Sequence, residues 1–153
     1  MGQSLEPFIF GLPPRIPGYA LRATRFLFEA TGENTGNLAF QHAIDTHLQG
    51  NRRVVSWGAA PAEVNAAGDV GVIPAANQLG RHVDYGRLAE RVAATTRKFV
   101  MLGLGAQSTL DGTLPDVPDG TIAWVRTVAD RAPAEGPNIA VRGPFSHAVL
   151  AAY

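Results

Sequence analysis

Short apolar runs alternate with stretches of helical periodicity along most of the chain. Residues 25–29 (RFLFE) form a brief apolar run that predicts a first strand, followed by the turn-rich stretch 30–37 (ATGENTGN). From Asn37 to about Leu48, the apolar residues Leu38, Phe40, Ala43, Ile44 and Leu48 recur at helical spacing. Asn37 suits the N-cap of that helix, and Gly50 with Asn51 suit its end. The unit then repeats loosely. Residues 54–57 (VVSW) are closed by Gly58 and Pro61, and residues 69–73 (DVGVI) are closed by Pro74. A helix is expected over 84–96, with Leu88, Val92 and Ala93 inward, and a strand over 99–102. The Gly/Pro/Asp-rich stretch 103–120 reads as a long loop, and residues 121–131 read as a helix on the spacing of Ile122, Val125 and Val128. A last strand at 139–141 precedes Pro144, which favours the first turn of a helix.

Strands without polar alternation, each followed by an amphipathic helix, predict a parallel sheet buried on both faces: an α/β, Rossmann-like doubly wound fold. Ligands of such sheets sit at the carboxyl ends of the strands. Ahead of this pattern, residues 1–23 carry Pro7, Pro13, Pro14 and Pro17 together with Gly11 and Gly18, and read as an irregular N-terminal arm. Phe8, Ile9, Phe10 and Tyr19 give that arm apolar side chains with which to pack on the domain, which itself is expected to span residues 24–153.

Composition narrows the function without naming it. Hydrophobic residues make up 46% and charged residues 17%, which is a globular balance. Thirteen basic residues offset thirteen acidic ones, so no broad basic footprint for nucleic acid or an anionic membrane exists. The chain has no cysteine, which excludes disulfides, thiolate metal sites and a cysteine nucleophile. The first residues lack a signal-peptide pattern, and Glu6 breaks the myristoylation pattern. No apolar run approaches the roughly 20 residues of a membrane-spanning helix, so a cytoplasmic location is the expectation.

The candidate motifs are sparse. Gly103-Leu104-Gly105 follows a strand, but Leu110 occupies the slot of the third glycine of a dinucleotide fingerprint, and the bland reading is a tight turn. The loop 32–37 (GENTGN) leads into a helix N-terminus and suits an anion or a polar sugar group, or serves as a capped turn. Asn77 and Gln78 are amides that both donate and accept, and therefore either read hydroxyl-rich ligands or brace a loop. His42 and His47 are five apart and do not share a helix face as a metal pair does; they, His82 and His147 read as structural or surface residues. Ser108 and Ser146 lack a nucleophile elbow. Arg142, at a strand end before Gly143 and Pro144, either pairs with a carboxylate or phosphate or braces a neighbouring loop.

Three stretches, in order and spacing, resemble the polysaccharide pyruvyl transferase family. They are residues 26–37 (FLFEATGENTGN), residues 71–80 (GVIPAANQLG) leading to 100–108 (VMLGLGAQS), and residues 139–146 (IAVRGPFS) with Leu150. The resemblance runs from about residue 24 to the end and implies one half of a two-domain, GT-B-type architecture. It implies transfer of a pyruvyl group from phosphoenolpyruvate to a glycan hydroxyl pair, with no metal or organic cofactor. Donor-binding basic residues and the acid–base histidine are expected mainly in a second domain, which this sequence does not contain. The first domain would supply strand-end loops toward the acceptor. On that basis the ligand-facing candidates are Asn34, Asn37, Asn77, Gln107 and Arg142, and no catalytic residue is assigned. The alternative is a non-catalytic glycan-binding or remnant domain. The partners expected are phosphoenolpyruvate, a glycan acceptor and a separate second domain. A face shaped for a second domain is expected to be partly apolar, so the free chain should self-associate or be marginally stable. Sedimentation at increasing concentration should show species above the monomer mass; a stable monodisperse monomer would contradict this.

Overall fold

The computed structural model describes residues 5–12, 16–31, 33, 35–48 and 53–153, with the side chains of Thr35 and Asn37 outside the description. The described residues form six strands and six α-helices in the order β1 (Pro7–Phe10), α1 (Thr24–Ala30), α2 (Thr35–His47), β2 (Val54–Val55), α3 (Pro61–Asn65), β3 (Val70–Pro74), β4 (Asn77–Leu79), α4 (Gly86–Ala93), β5 (Lys98–Ala106), α5 (Asp119–Ala129), β6 (Ile139–Val141) and α6 (Pro144–Ala151). All strand pairs among the described residues are parallel. The order is β2-β1-β3-β5-β4, and β6 lies against β5. The α/β, Rossmann-like expectation therefore holds. Among the described residues no helix is long and apolar enough to cross a membrane.

The largest departure from the sequence reading is at the N-terminus. Pro7–Phe10 is not an irregular arm but an inner strand, paired with β2 on one side and β3 on the other. Phe8 and Ile9 are 0% exposed and Phe10 is 1% exposed. Proline is tolerated here because Pro7 is the first residue of the strand. The apolar run at 25–29, expected as the first strand, is instead part of α1. Its Arg25 Nε–Glu29 Oε1 pair (2.8 Å) spans one helical turn. Burial explains the exchange. A strand inside a parallel sheet is covered on both faces, and residues 7–10 meet that condition, whereas Phe26 and Phe28 of α1 remain about half exposed.

Two further corrections concern loops. Residues 77–79, expected as loop, form β4, which pairs with the far end of β5. Gly103-Leu104-Gly105, expected as a strand-end turn, lies inside β5. Gly103 has φ +74°, and the β5–β6 register shifts between Leu102 and Leu104, so this glycine carries a β-bulge. Asn37, expected as an N-cap, follows two helical residues, because α2 starts at Thr35. Gly50 and Asn51, read as the end of that helix, lie outside the described residues.

The core lies chiefly on one face of the sheet. Phe8, Phe10, Ile73, Phe99 and Met101 pack there with Leu88 and Val92 of α4 and Trp124, Val125 and Val128 of α5. Phe99 makes an edge contact with Phe8 (6.3 Å) and a tilted contact with Phe10 (5.7 Å). By strand alternation Ile9 and Val72 point to the opposite face, and α2 contacts β3. Replacing Phe8 by Ala should lower unfolding stability by about 3–5 kcal/mol, the usual cost of emptying an aromatic core site. Urea denaturation measures this; a change within about 0.5 kcal/mol, the range of ordinary surface substitutions, would return residues 7–10 to the status of an arm.

Candidate functional site

The chain leaves β1 for β2 on one side and then crosses to β3 on the other. The strand order thus reverses between β1 and β3, and the connections diverge at their carboxyl ends. Such a switch point opens a crevice where open α/β sheets place ligands. A cleft of about 290 Å³ lies there.

Aromatic residues form part of its wall. Phe40 comes from α2, Trp57 follows β2 and Tyr85 precedes α4. Trp57 is held by its indole N–H, which donates to the carbonyl of Phe10 at the end of β1 (2.9 Å). The loop after it is anchored by Arg91, whose Nη1 donates to the carbonyl of Gly58. Tyr85 makes an edge contact with Trp57 (5.9 Å) and a tilted contact with the fully buried Trp124 (4.7 Å). Its backbone N–H donates to Thr121 Oγ1 at the start of α5, and that hydroxyl donates to the carbonyl of Val83. Burial pushes the Tyr85 phenol above its ordinary value of 10.0, and a hydrogen bond with Gln78 offsets part of that rise.

Amides form the rest of the polar wall: Gln41, Asn77, Gln78 and Gln107. Gln41 and Gln78 are 4% and 5% exposed. The side-chain oxygen of each is buried and accepts no hydrogen bond among the described residues. His82 completes the rim, and among the described residues no Asp, Glu, Lys or Arg lines the cleft.

The sequence candidates fall in different places. Asn34 and the side chain of Asn37 lie outside the described residues. Asn77 and Gln107 line the cleft. Arg142 stands behind it as a brace: its Nη1 donates to Asn77 Oδ1 (2.9 Å), its Nε donates to the carbonyl of Gly103 (3.1 Å), and its guanidinium lies 5.7 Å from the Phe40 ring centroid. The two glycines of β5 make this cluster possible. A Cβ on Gly103 would stand 2.5 Å from the Phe40 ring, and one on Gly105 would stand 2.9 Å from Asn77 Oδ1 and 3.0 Å from Arg142 Cδ. The Gly-x-Gly pair therefore admits the protein's own side chains. Ser146 is likewise structural, its hydroxyl accepting from the N–H of Ala106 (3.0 Å).

Gln41, Trp57 and Tyr85 were not singled out from the sequence, and His82 was read as a structural or surface residue. Gln41 did leave a signal, because it shares the inward stripe of α2 with Ile44, three residues on. The described residues hold no cluster of three or more His, Asp or Glu side chains able to bind a metal ion. No family model, curated protein or solved structure matches the chain.

Tyr85 supplies a pH test. Because its folded-state pKa is raised, its contribution to stability is fully present below 10.0 and is lost as pH rises through the folded value. Absorbance titration at alkaline pH should show one of the three tyrosines ionising late, and the Tyr85→Phe variant should lose that phase. If the variant keeps all late-titrating absorbance, the burial of this phenol is wrong.

Proposed function

We propose that this chain is the acceptor-holding domain of a polysaccharide pyruvyl transferase-like protein, with its cleft facing the glycan. The observation that carries the reading is the meeting of two resembling stretches at one cluster. Arg142, from the stretch 139–146, bonds to Asn77 and Gly103, from the stretches 71–80 and 100–108, directly behind the cleft. The stretch 26–37 contributes a helix where the resemblance implies a strand, so the reading rests on the other two. The lining suits a sugar: amides donate to and accept from hydroxyls, and aromatic faces cover the apolar face of a ring.

In the proposed reaction, two sugar hydroxyl oxygens bond to the central carbon of phosphoenolpyruvate, and the bond from that carbon to the phosphate oxygen breaks. The methylene takes up one proton and becomes a methyl group, the leaving phosphate takes the other, and a pyruvate ketal and inorganic phosphate result. The residues assigned here hold the acceptor; cationic groups for the donor belong to the second domain. A second reading, a glycan-binding domain without catalysis, is favoured by the lack of Lys or Arg in the cleft lining among the described residues.

Protein isolated from its own cells, incubated with phosphoenolpyruvate and cell-envelope glycan, should release phosphate in proportion to ketal formed, read by mass spectrometry. Saccharide binding without turnover would move the conclusion to the second reading. Neither binding nor phosphate release would overturn both.

A further inference from the structure

A second concavity, of about 360 Å³, opens where the adjacent parallel strands β4 and β5 end. Open α/β sheets take their ligands at such carboxyl ends. Arg81 and His82 follow β4, and Gln107 and Ser108 follow β5. The N–H of Gln107 donates to the carbonyl of Leu79 (2.9 Å), which ties the two exits together. The rest of the wall is the loop that runs from Ser108 to Asp116. The volume lies at the lower end of small-molecule sites, roughly 300–1,000 Å³, and suits a compact solute.

One arginine and one aspartate line this space, Arg81 and Asp116. Among the described residues neither forms an ion pair or a side-chain hydrogen bond, with the other or with any third group. The other carboxylate of the loop is already committed. Asp111 accepts from the hydroxyls of Thr109 and Thr113 and from the N–H of Thr113. Those hydrogen bonds, from Thr109 first, hold its carboxyl below the ordinary value. Asp111 therefore shapes the loop, and Asp116 is the carboxylate left facing the concavity.

Tyr153 fixes the backbone on both sides of Asp116. Its hydroxyl donates to the carbonyl of Pro115 (3.1 Å) and accepts from the N–H of Val117 (3.0 Å). Tyr153 is held in turn by Arg126, whose Nη2 donates to its main-chain oxygen (2.6 Å). A ligand that meets Asp116 thus has little backbone to order, which lowers the cost of binding there.

The pair of opposite charges selects among solutes. A lone carboxylate or phosphate that meets Arg81 also faces Asp116, and a lone amine that meets Asp116 also faces Arg81; like charges brought together cost affinity. A neutral solute strips water from both charges and pairs with neither. A solute with a carboxylate and an ammonium a few bonds apart matches both at once, and Leu114 with Pro115 offers an apolar wall to the remainder of it. We propose that this concavity binds a free amino acid, its carboxylate on Arg81 and its ammonium on Asp116. The site uses none of the aromatic residues of the first cleft and stands whether or not the acceptor-holding reading does.

The test uses the full 153-residue chain, labelled with ¹⁵N and titrated with each of the standard protein amino acids. The tightest binder is then compared with its carboxamide, which lacks the carboxylate, and with its N-acetyl form, which lacks the ammonium. At least one amino acid should shift the amides of residues 81–82 and of the 108–116 loop. Both derivatives should bind about tenfold or more weakly, because each loses a charge-assisted hydrogen bond. Arg81→Gln and Asp116→Asn change exposed side chains, so the fold should persist, as the amide spectrum checks. Arg81→Gln should bind the amino acid and its carboxamide within about twofold of each other, and Asp116→Asn should do the same for the amino acid and its N-acetyl form. Shifts confined to other parts of the chain, derivatives that bind as tightly as the parent, or variants that keep the full preference would each overturn the proposal. So would the lack of binding by every amino acid, or tighter binding here of phosphoenolpyruvate or methyl glucoside.

Discussion

The reversal of strand order between β1 and β3 is the constraint on which the rest of the structure depends. Parallel strands need crossover connections, and two connections that leave adjacent strands in opposite directions cannot cover the ground between their ends. The gap persists only if β1 stays in the middle of the sheet. Phe8 and Phe10 secure this from one face through Phe99, and Ile9 faces the other. One wall of the cleft is referred to that strand. Trp57 hangs from the carbonyl of Phe10, and Leu12, two residues beyond β1, forms part of the lining.

The opposite wall is organised by β5, the longest strand. Its first part pairs with β3, its middle with β6, and its end with β4. The bulge at Gly103 falls beside the register shift with β6, so the strand changes course there and reaches β4. Close approach is then required twice, by Phe40 over Gly103 and by Asn77 and Arg142 over Gly105. Arg142 links the last strand to the fourth and touches α2. A planar, always-charged guanidinium can satisfy a carbonyl, an amide oxygen and an aromatic face together, which an ammonium does less well. One of the cleft's neutral amides, Asn77, is thus held by a cation behind it.

A site of this composition is suited to recognition more than to charge chemistry. Its amides both donate and accept, its rings present flat apolar faces, and the phenol of Tyr85 is kept protonated by burial. The side-chain oxygens of Gln41 and Gln78 are buried and accept no hydrogen bond among the described residues, whereas the buried amide of Asn138 donates to the carbonyls of Phe99 and Val128.

The alternation of apolar runs and amphipathic stretches was enough to establish a parallel α/β sheet, because a strand buried on both faces needs no polar alternation and its crossover helix needs one apolar stripe. The same logic located β3, β6, α4, α5 and α6 to within a few residues, and placed Asn77 and Gln107 near strand ends. It failed at residues 7–10 and 25–29. Both are short apolar runs, and local pattern cannot tell which one the sheet will enclose; competition for a two-sided buried position decides it. The roles of the glycines in β5 and of Arg142 were also out of reach, since a bulge and a three-way brace exist only when distant strands are in register. Sequence by itself determined the class of fold and the polar character of its strand ends. Tertiary structure alone decided which strand is central, where the order reverses, and hence that Gln41, Trp57, Gln78 and Tyr85, far apart in the chain, line one cleft.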